Sequence, residues 1–320
     1  MNKKYDNPKH RFRTEELLVD PGPPRMLAPS DVKTYLITLG TSTPSPNPFR
    51  FGPAGAVIVN DKPYLIDCGE GILRAVAKAA TAHDMKFVDN FAPSNLTHLF
   101  LTHLHSDHIV GLPSLILFPW IFGRTQPLNV FGPLGTKNLV EKIVEGYQSD
   151  ILERIHGPEH ANDTGWRVNV YEISEDGIVF EDGNLKVEAF SHEHGYLQNF
   201  GFRFSSQDRV IVWAGDGKIG EKFQSAANDA DILVSELCSE EDFENAPWGG
   251  LSFEEKEEII WSYHLKPHEL ATLAKKAKVK NLVLIHESNY SVPFRSDALL
   301  NEIRQFYSGD VTSSRDGDVF

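Results

Sequence analysis

Three histidines and an aspartate fall within six positions in the stretch LTHLHSDHIVGL, residues 101–112. His103 and His105 are two apart, so on extended backbone they share a face. Past the bend, Asp107 and His108 are placed to reach a second ion. Neutral imidazole nitrogen and carboxylate oxygen are the donors that zinc, iron and manganese accept. Burying four such groups together without a cation crowds imidazoles and desolvates a carboxylate, which is costly. The pattern therefore predicts a metal site. His83 and His98 stand alone and read as ordinary core or surface residues.

A site of this kind needs elements that aim it. NLTHLFL (95–101), bounded by Pro93 and Ser94, reads as a buried strand. IVGLPSLILF, just downstream, reads as a helix or a mixed apolar segment interrupted at Pro113. The cluster then sits on a strand-to-helix turn, where α/β enzymes keep their sites. Further ligands should lie at other strand ends. NLKVEAFSHEHG ends in His192 and His194, and NLVLIHE ends in His286. RVIVWAGD ends in Asp216, after a small Ala214–Gly215 pair that lets backbone approach closely.

The rest of the chain supplies the frame. Residues 1–32 are Pro-rich and polar and read as an extended N-terminal arm, with one domain over 33–320. TYLITLG (34–40) is a strand ending in the turn-rich TSTPSPNP, and 54–59 and 62–68 form a hairpin about Asp61. EGILRAVAKAA has helical spacing, PLNVFG is a strand and LGTKNLVEKIVEGYQ a helix. Residues 166–213 are nearly all strand, and helices and strands alternate thereafter. This order predicts an α/β fold in which two sheets pack together with helices outside.

Composition excludes several classes. The 320 residues are 41% hydrophobic, with two cysteines, too few for a disulfide framework. No apolar run approaches the roughly 18 residues needed to span a bilayer. No apolar signal segment is visible at the N-terminus, so a cytoplasmic location with no membrane partner is expected. The formal charge of −14 opposes a general attraction to nucleic acid.

HLHSDH, followed in order by His194, Asp216 and His286, resembles the metallo-β-lactamase superfamily, and more closely its ribonuclease Z branch. LIDCGEGILRAV (65–76), HSDHIVGLPSLI (105–116), GRTQPLNVFGPLGTKNLVE (123–141) and the HEHGYLQNFGFRF stretch carry the likeness, which spans about residues 34–310. The resemblance implies a four-layer αββα sandwich with two divalent metal ions at one edge, expected to be zinc, with manganese or iron as alternatives. It implies His103, His105 and His194 on one ion, Asp107, His108 and His286 on the other, and Asp216 between them. Asp67 would steady the ligand loop. Two ions about 3.5–4 Å apart hold a hydroxide at neutral pH and clamp the oxygens of an in-line displacement. Asp107 and Asp216 would orient that nucleophile. Glu236 and His264 match the branch's proton-transfer pair, a role suited to a histidine held by a carboxylate. A homodimer is also implied.

The chain departs from the branch in places. Around Glu236 it reads Ser235, Leu237 and Cys238, and after His264 it reads Leu265 and Lys266. No basic Gly-rich arm is present. Residues 141–182 hold eleven acids against three bases, and 236–258 hold nine acids against Lys256 alone. Phosphate contacts from Lys and Arg supply most nucleic-acid affinity, so this balance disfavours tRNA. Trp120, in LILFPWIFGR, and Trp248, in FENAPWGGLSF, are candidates to line an apolar substrate pocket, against the alternative of core or dimer contact. The resulting expectation is a metal-dependent hydrolase of the ribonuclease Z type, acting as a phosphodiesterase or endonuclease. The alternatives are a small-molecule ester, lactone, β-lactam or sulfate-ester hydrolase on the same site, and a non-catalytic metal-binding protein.

Overall fold

The computed structural model describes residues 20–44, 47–240, 251–288 and 296–320. Trp248 and residues 1–19 of the expected arm lie outside them. Two seven-stranded sheets face each other. The first is built from β1 (Thr34–Gly40), β2 (Ala54–Val59), β3 (Lys62–Ile66), β4 (His98–Phe100), β5 (Leu128–Pro133), β6 (Val168–Ile173) and β14 (Asp318–Val319), in the order β14-β1-β2-β3-β4-β5-β6. The second holds β7 (Gly177–Glu181), β8 (Leu185–Ser191), β9 (Phe200–Ser206), β10 (Val210–Gly215), β11 (Ile232–Cys238), β12 (Asn281–Ser288) and β13 (Asp310–Ser313), in the order β13-β12-β11-β10-β9-β8-β7.

Strands with apolar residues on both faces need cover on both sides. Between the sheets lie Tyr64, Phe100, Phe131, Phe202, Phe204 and Trp213. On the outer face of the first sheet pack α1 (Ile72–Thr81), α3 (Leu112–Ile121), α4 (Thr136–Gly146) and α5 (Gln148–His156). On the outer face of the second pack α6 (Glu221–Ala227), α8 (Pro267–Lys276) and α9 (Ser296–Arg304). The short α2 (Ser106–Ile109) and α7 (Phe253–Tyr263) complete the α-helices among the described residues. This is the four-layer αββα sandwich expected from the sequence. No described helix is long and apolar enough to cross a membrane. Ahead of β1, Met26 bridges Val319, and the Arg25 guanidinium pairs with Asp318.

Parallel pairing sets the direction of the edge that matters. β3, β4, β5 and β6 run parallel to one another, as do β10, β11, β12 and β13. Their C-terminal ends gather at one edge of the sandwich. Such edges collect loops free to carry chemistry.

The helix after the metal motif differs from its sequence reading. Pro113 does not interrupt it but sits in its first turn, where a missing N–H costs nothing. The interior proline is Pro119, which leaves the Leu115 carbonyl without its helical donor. Arg124 supplies the replacement: its Nη1 donates to Leu115 O at 3.0 Å and Leu96 O at 2.8 Å, and its Nη2 donates to Ile116 O at 2.6 Å and Gly165 O at 3.0 Å. The guanidinium is fully buried, and burial pushes it down to about 10. Arg124→Met is expected to lower the unfolding free energy by about 3 kcal/mol or more, because it strands several buried carbonyls. Adding Pro119→Ala should restore about 1 kcal/mol by giving Leu115 O a helical donor. Urea denaturation of the four proteins closes the cycle, and strictly additive losses would show that the two residues do not share that carbonyl.

Candidate metal centre

Each candidate metal ligand, with Asp67 and Glu236, lies at or just beyond a strand end at the shared edge, while His264 caps the C-terminus of α7. Asp67 follows β3, and the HLHSDH turn follows β4. His194 follows β8, and Asp216 follows β10. Glu236 and His286 lie near the ends of β11 and β12. The strands are irregular where they release these groups. Between β11 and β12, Ser235 faces Leu284 but Leu237 faces Glu287, so Glu236 lies opposite an extra residue. Between β10 and β11 the register slips at Ala214, just before Asp216. Bulges of this kind re-aim side chains beside sites. Asp67 and His286 also carry positive φ, at 53° and 46°, a strained setting for a non-glycine residue. Gly69 lets the β3 turn press against the motif, since a Cβ there would stand 2.5 Å from Asp107 O. Gly215 stands against Thr102 in the same way, with φ at 68°.

The histidines meet nitrogen to nitrogen. His105 Nδ1 lies 3.0 Å from His103 Nε2 and 3.0 Å from His194 Nε2. Asp107 Oδ2 lies 3.2 Å from His286 Nε2 and 3.5 Å from His108 Nε2. Asp216 Oδ2 lies 3.3 Å from His286 Nε2 and 3.4 Å from His108 Nε2. Among the described residues, donor atoms within 4.8 Å of one another form four triads: His103–His105–His194, His103–His108–Asp216, Asp107–His108–His286 and Asp216–His264–His286.

The far side of three rings is pinned, and this fixes their tautomers. The Thr102 hydroxyl donates to Asp67 Oδ2 at 2.9 Å, so it accepts from His103 Nδ1 at 2.9 Å. His108 Nδ1 donates to Asp67 Oδ2 at 2.9 Å, and His194 Nδ1 donates to the Tyr263 carbonyl at 3.1 Å. Each Nε2 is then the nitrogen turned inward, the arrangement metal-binding histidines use. Burial pushes His103 well below its ordinary value and takes His194 down to about 4, which keeps both neutral. For His108, burial is outweighed by Asp216 and Asp67, which raise it. For Asp216, burial is outweighed by the His286 and His108 charges, which hold it well below the carboxylate range. His108 Nε2 and Asp216 Oδ1 are buried and make no hydrogen bond. These donors fit cations: the orphaned atoms face carboxylates and lone pairs that a positive charge would reconcile.

Beside the cluster stands a second pair. Glu236, fully buried, accepts from His264 Nδ1 at 3.0 Å through Oε2 and from Leu265 N at 3.0 Å through Oε1. The His264 ring lies 6.0 Å from that of His286 and 6.2 Å from that of His194. Burial lowers the His264 imidazolium, but Glu236 outweighs it and the net shift is upward.

The structure thus brings together Asp67, His103, His105, Asp107, His108, His194, Asp216, Glu236, His264 and His286. It separates Trp120, which corrects its place as a pocket residue. Trp120 is buried in the layer between the first sheet and its helices, and its Nε1 donates to Asn162 O at 2.7 Å. His192, the other strand-end histidine, stacks on Phe190 and contacts the Ala214 carbonyl at 3.0 Å, behind the Asp216 turn. His98 packs against Tyr64 and Phe180, and His83 reaches Gly317 O, both as ordinary residues. Two contributors were missed in the sequence. Thr102 and Tyr263 each immediately precede a recognised histidine, and adjacency was the only signal either gave.

Comparison with known proteins places this geometry. The Beta-lactamase superfamily domain matches residues 63–286. Ribonuclease Z from Mycobacterium sp. (strain KMS) is 31% identical over 252 residues, covering 78% of this chain and 82% of that protein. Among solved structures, the metallo-β-lactamase fold protein YhfI from Bacillus subtilis superposes with a TM-score of 0.66 at 17% identity, covering 90% of this chain and 98% of that one. The short form of human tRNase Z gives 0.65 at 23% identity, covering 89% and 98%. At those identities the structures speak for the fold, while the domain match and the mycobacterial relative reach further: the chain belongs to the metallo-β-lactamase superfamily, in its ribonuclease Z-like branch.

Proposed function

We propose that this chain is a two-metal phosphodiesterase of the ribonuclease Z type. The observation that carries the reading is the buried Glu236–His264 pair set beside the histidine–aspartate cluster. His103, His105 and His194 would hold one divalent ion, Asp107, His108 and His286 the other, and Asp216 would reach both. Three neutral imidazoles suit zinc, and manganese and iron accept the same donors. Bound there, two such ions activate water at neutral pH and neutralise charge building on the phosphoryl oxygens.

The chain's own groups do the rest. Asp107 and Asp216 present carboxylate oxygens that orient the attacking water and accept its hydrogen bonds. With Nδ1 committed to Glu236, His264 has Nε2 left to meet the departing oxygen and protonate it. Glu236 keeps the ring charged and aimed, and is itself held by the Leu265 amide. Relatives called ribonuclease Z at about this identity support a nucleic acid as substrate. A homodimer belongs to the same reading, supported by Val110, Phe118 and Phe122, which stand exposed along and beside α3.

The direct test is cleavage of a precursor tRNA with a 3′ trailer, run beside bis(p-nitrophenyl) phosphate and a lactone. Trailer removal by metal-loaded protein is expected, with Asp216→Ala lower by about 100-fold or more, the order lost when a transition-state charge partner is removed. Turnover of the lactone alone would overturn the phosphodiesterase reading.

The acid role has its own signature. A p-nitrophenolate leaves without a proton, whereas a ribose alkoxide needs one. His264→Ala should therefore cost about 10²–10⁴-fold on RNA and little on the chromogenic diester. An acid works only while protonated, so RNA cleavage should fall as pH rises through the folded value of His264. Glu236 is what raises that value, so Glu236→Gln should move the alkaline limb to lower pH. An unmoved limb in the RNA profile would remove the pair from proton transfer.

A further inference from the structure

Three of the five ligand imidazoles are held by a partner at the far nitrogen; His105 is half-buried, and among the fully buried rings His286 is the one that is not held. Thr102, Asp67 and the Tyr263 carbonyl take His103, His108 and His194. His286 Nδ1 is buried and meets no acceptor among the described residues. Its backbone is also strained, with φ at 46°. Such a setting persists only when surroundings impose it. The constraint on His286 must come through its main chain.

That main chain leads to the opposite end of the protein. The His286 N–H donates to Thr41 O at 3.1 Å. The pairing of β12 with β13 has already ended, at Leu284 opposite Ser313. Thr41 opens the turn-rich loop after β1, and Asp316 clamps it. Asp316 Oδ1 accepts from Thr41 N at 3.0 Å and from Thr41 Oγ1 at 2.7 Å, and Oδ2 accepts from Phe51 N at 2.6 Å. Arg50 Nη1 donates to Thr41 Oγ1 at 3.0 Å, and Ser42 N donates to Phe51 O at 2.9 Å. One fully buried carboxylate therefore ties both ends of the loop, and the loop presents the Thr41 carbonyl that holds the His286 amide.

We infer that Asp316 is a positioning residue for His286: acting through Thr41, it does from the backbone side what Asp67 does for His108 through the ring. This rests on the two-metal reading, in which His286 serves the second ion together with Asp107 and His108. Residues that orient a metal ligand are worth about 10–100-fold in metal affinity. The first ion's ligands, His103, His105 and His194, do not depend on this clamp, so the effect should be confined to one ion.

The test titrates metal-free, full-length protein with Zn2+ against a chelating indicator, alongside thermal unfolding and steady-state kinetics. Wild-type protein should take up two ions. Asp316→Ala should bind the first as wild type does and the second about 10–100-fold more weakly. Asp316→Asn, which keeps the volume and one acceptor oxygen, should fall between, and it serves if the alanine variant does not fold. Thr41→Val, which removes the hydroxyl and keeps the carbonyl, should weaken the second ion by a smaller factor. In each variant kcat should fall with KM unchanged. Wild-type affinity for both ions with only a lower unfolding temperature would make Asp316 a purely structural carboxylate. Equal weakening of both ions would also overturn the assignment. Wild-type protein that takes up a single ion would overturn the two-metal reading itself, before any variant is compared.

Discussion

Imidazole nitrogens crowd to within 3.0 Å of one another beside buried carboxylates, and the fold is organised around holding them there. The means is a set of acceptors on the far side of the rings. Asp67 is the hub: it accepts from the Thr102 amide at 2.8 Å, from the Thr102 hydroxyl and from His108 Nδ1. Through Thr102 it also settles the tautomer of His103. One buried carboxylate thereby aims two Nε2 atoms inward. A half-satisfied polar network of this kind would be worse than an apolar core, because each unpaired group keeps its full desolvation cost. Around His103, His108 and His194 the network is satisfied on its outer side and unsatisfied inward, where His108 Nε2 and Asp216 Oδ1 lack partners; His286 Nδ1 is the outward exception. That asymmetry distinguishes a ligand set from a misplaced polar core.

The sandwich makes this arrangement affordable. Groups that are distant in sequence must meet within a few ångströms, and rigid strands ending at one edge achieve that without long ordered loops. Both sheets contribute, so the cluster spans the seam between them. Asp67, His103, His105, Asp107 and His108 come from the first, and His194, Asp216, Glu236 and His286 from the second. Bulges on β10 and β12 then make the fine adjustment. The strain at Asp67 and His286 is carried by the surrounding hydrogen bonds rather than by the sequence at those positions.

Much of this was legible in the sequence, for identifiable reasons. Strands covered on both faces are continuous apolar runs, so VIVWAG, ILVSEL and NLVLIHE announce themselves, and a polar residue at their end stands out. His103, His105, Asp107 and His108 were visible because ligand-type residues seldom crowd together without cause. Glu236 and His264 were not visible on their own; only the family likeness carried them, since a Glu inside an apolar run and a His after a helix have many ordinary explanations. Trp120 misled because an aromatic near a site reads the same whether it points to the cavity or into the core, and helix packing decides which. Pro113 misled because a proline is tolerated in a first turn, while the disruptive Pro119 is rescued by Arg124, a partner the local pattern does not reveal. Asp316 left no local trace, because its role depends on a loop some 270 positions earlier.

The acidic balance, which weighed against tRNA, looks different in three dimensions. In the segment 141–182 many acids are committed. Glu172 accepts from the Gly135 and Lys137 amides at the start of α4, where the helix dipole favours a negative charge. Asp182 pairs with Lys62, and Asp176 pairs with Lys222. These two cations come from outside the segment, so its own count of charges omits them. Asp150 and Glu159 share Arg154 on and just beyond α5, a helix on the outer face of the first sheet. Glu236 lies inside the site, where its charge supports His264, and Glu240 faces Lys266 and His268. An exposed charge farther than about 10 Å from a phosphate is largely screened at ordinary ionic strength. What a substrate meets is the local field at the edge of the sheets, and there the acids are mostly occupied in holding the site together. A formal charge of −14 is a property of the whole surface and sets no sign for that edge.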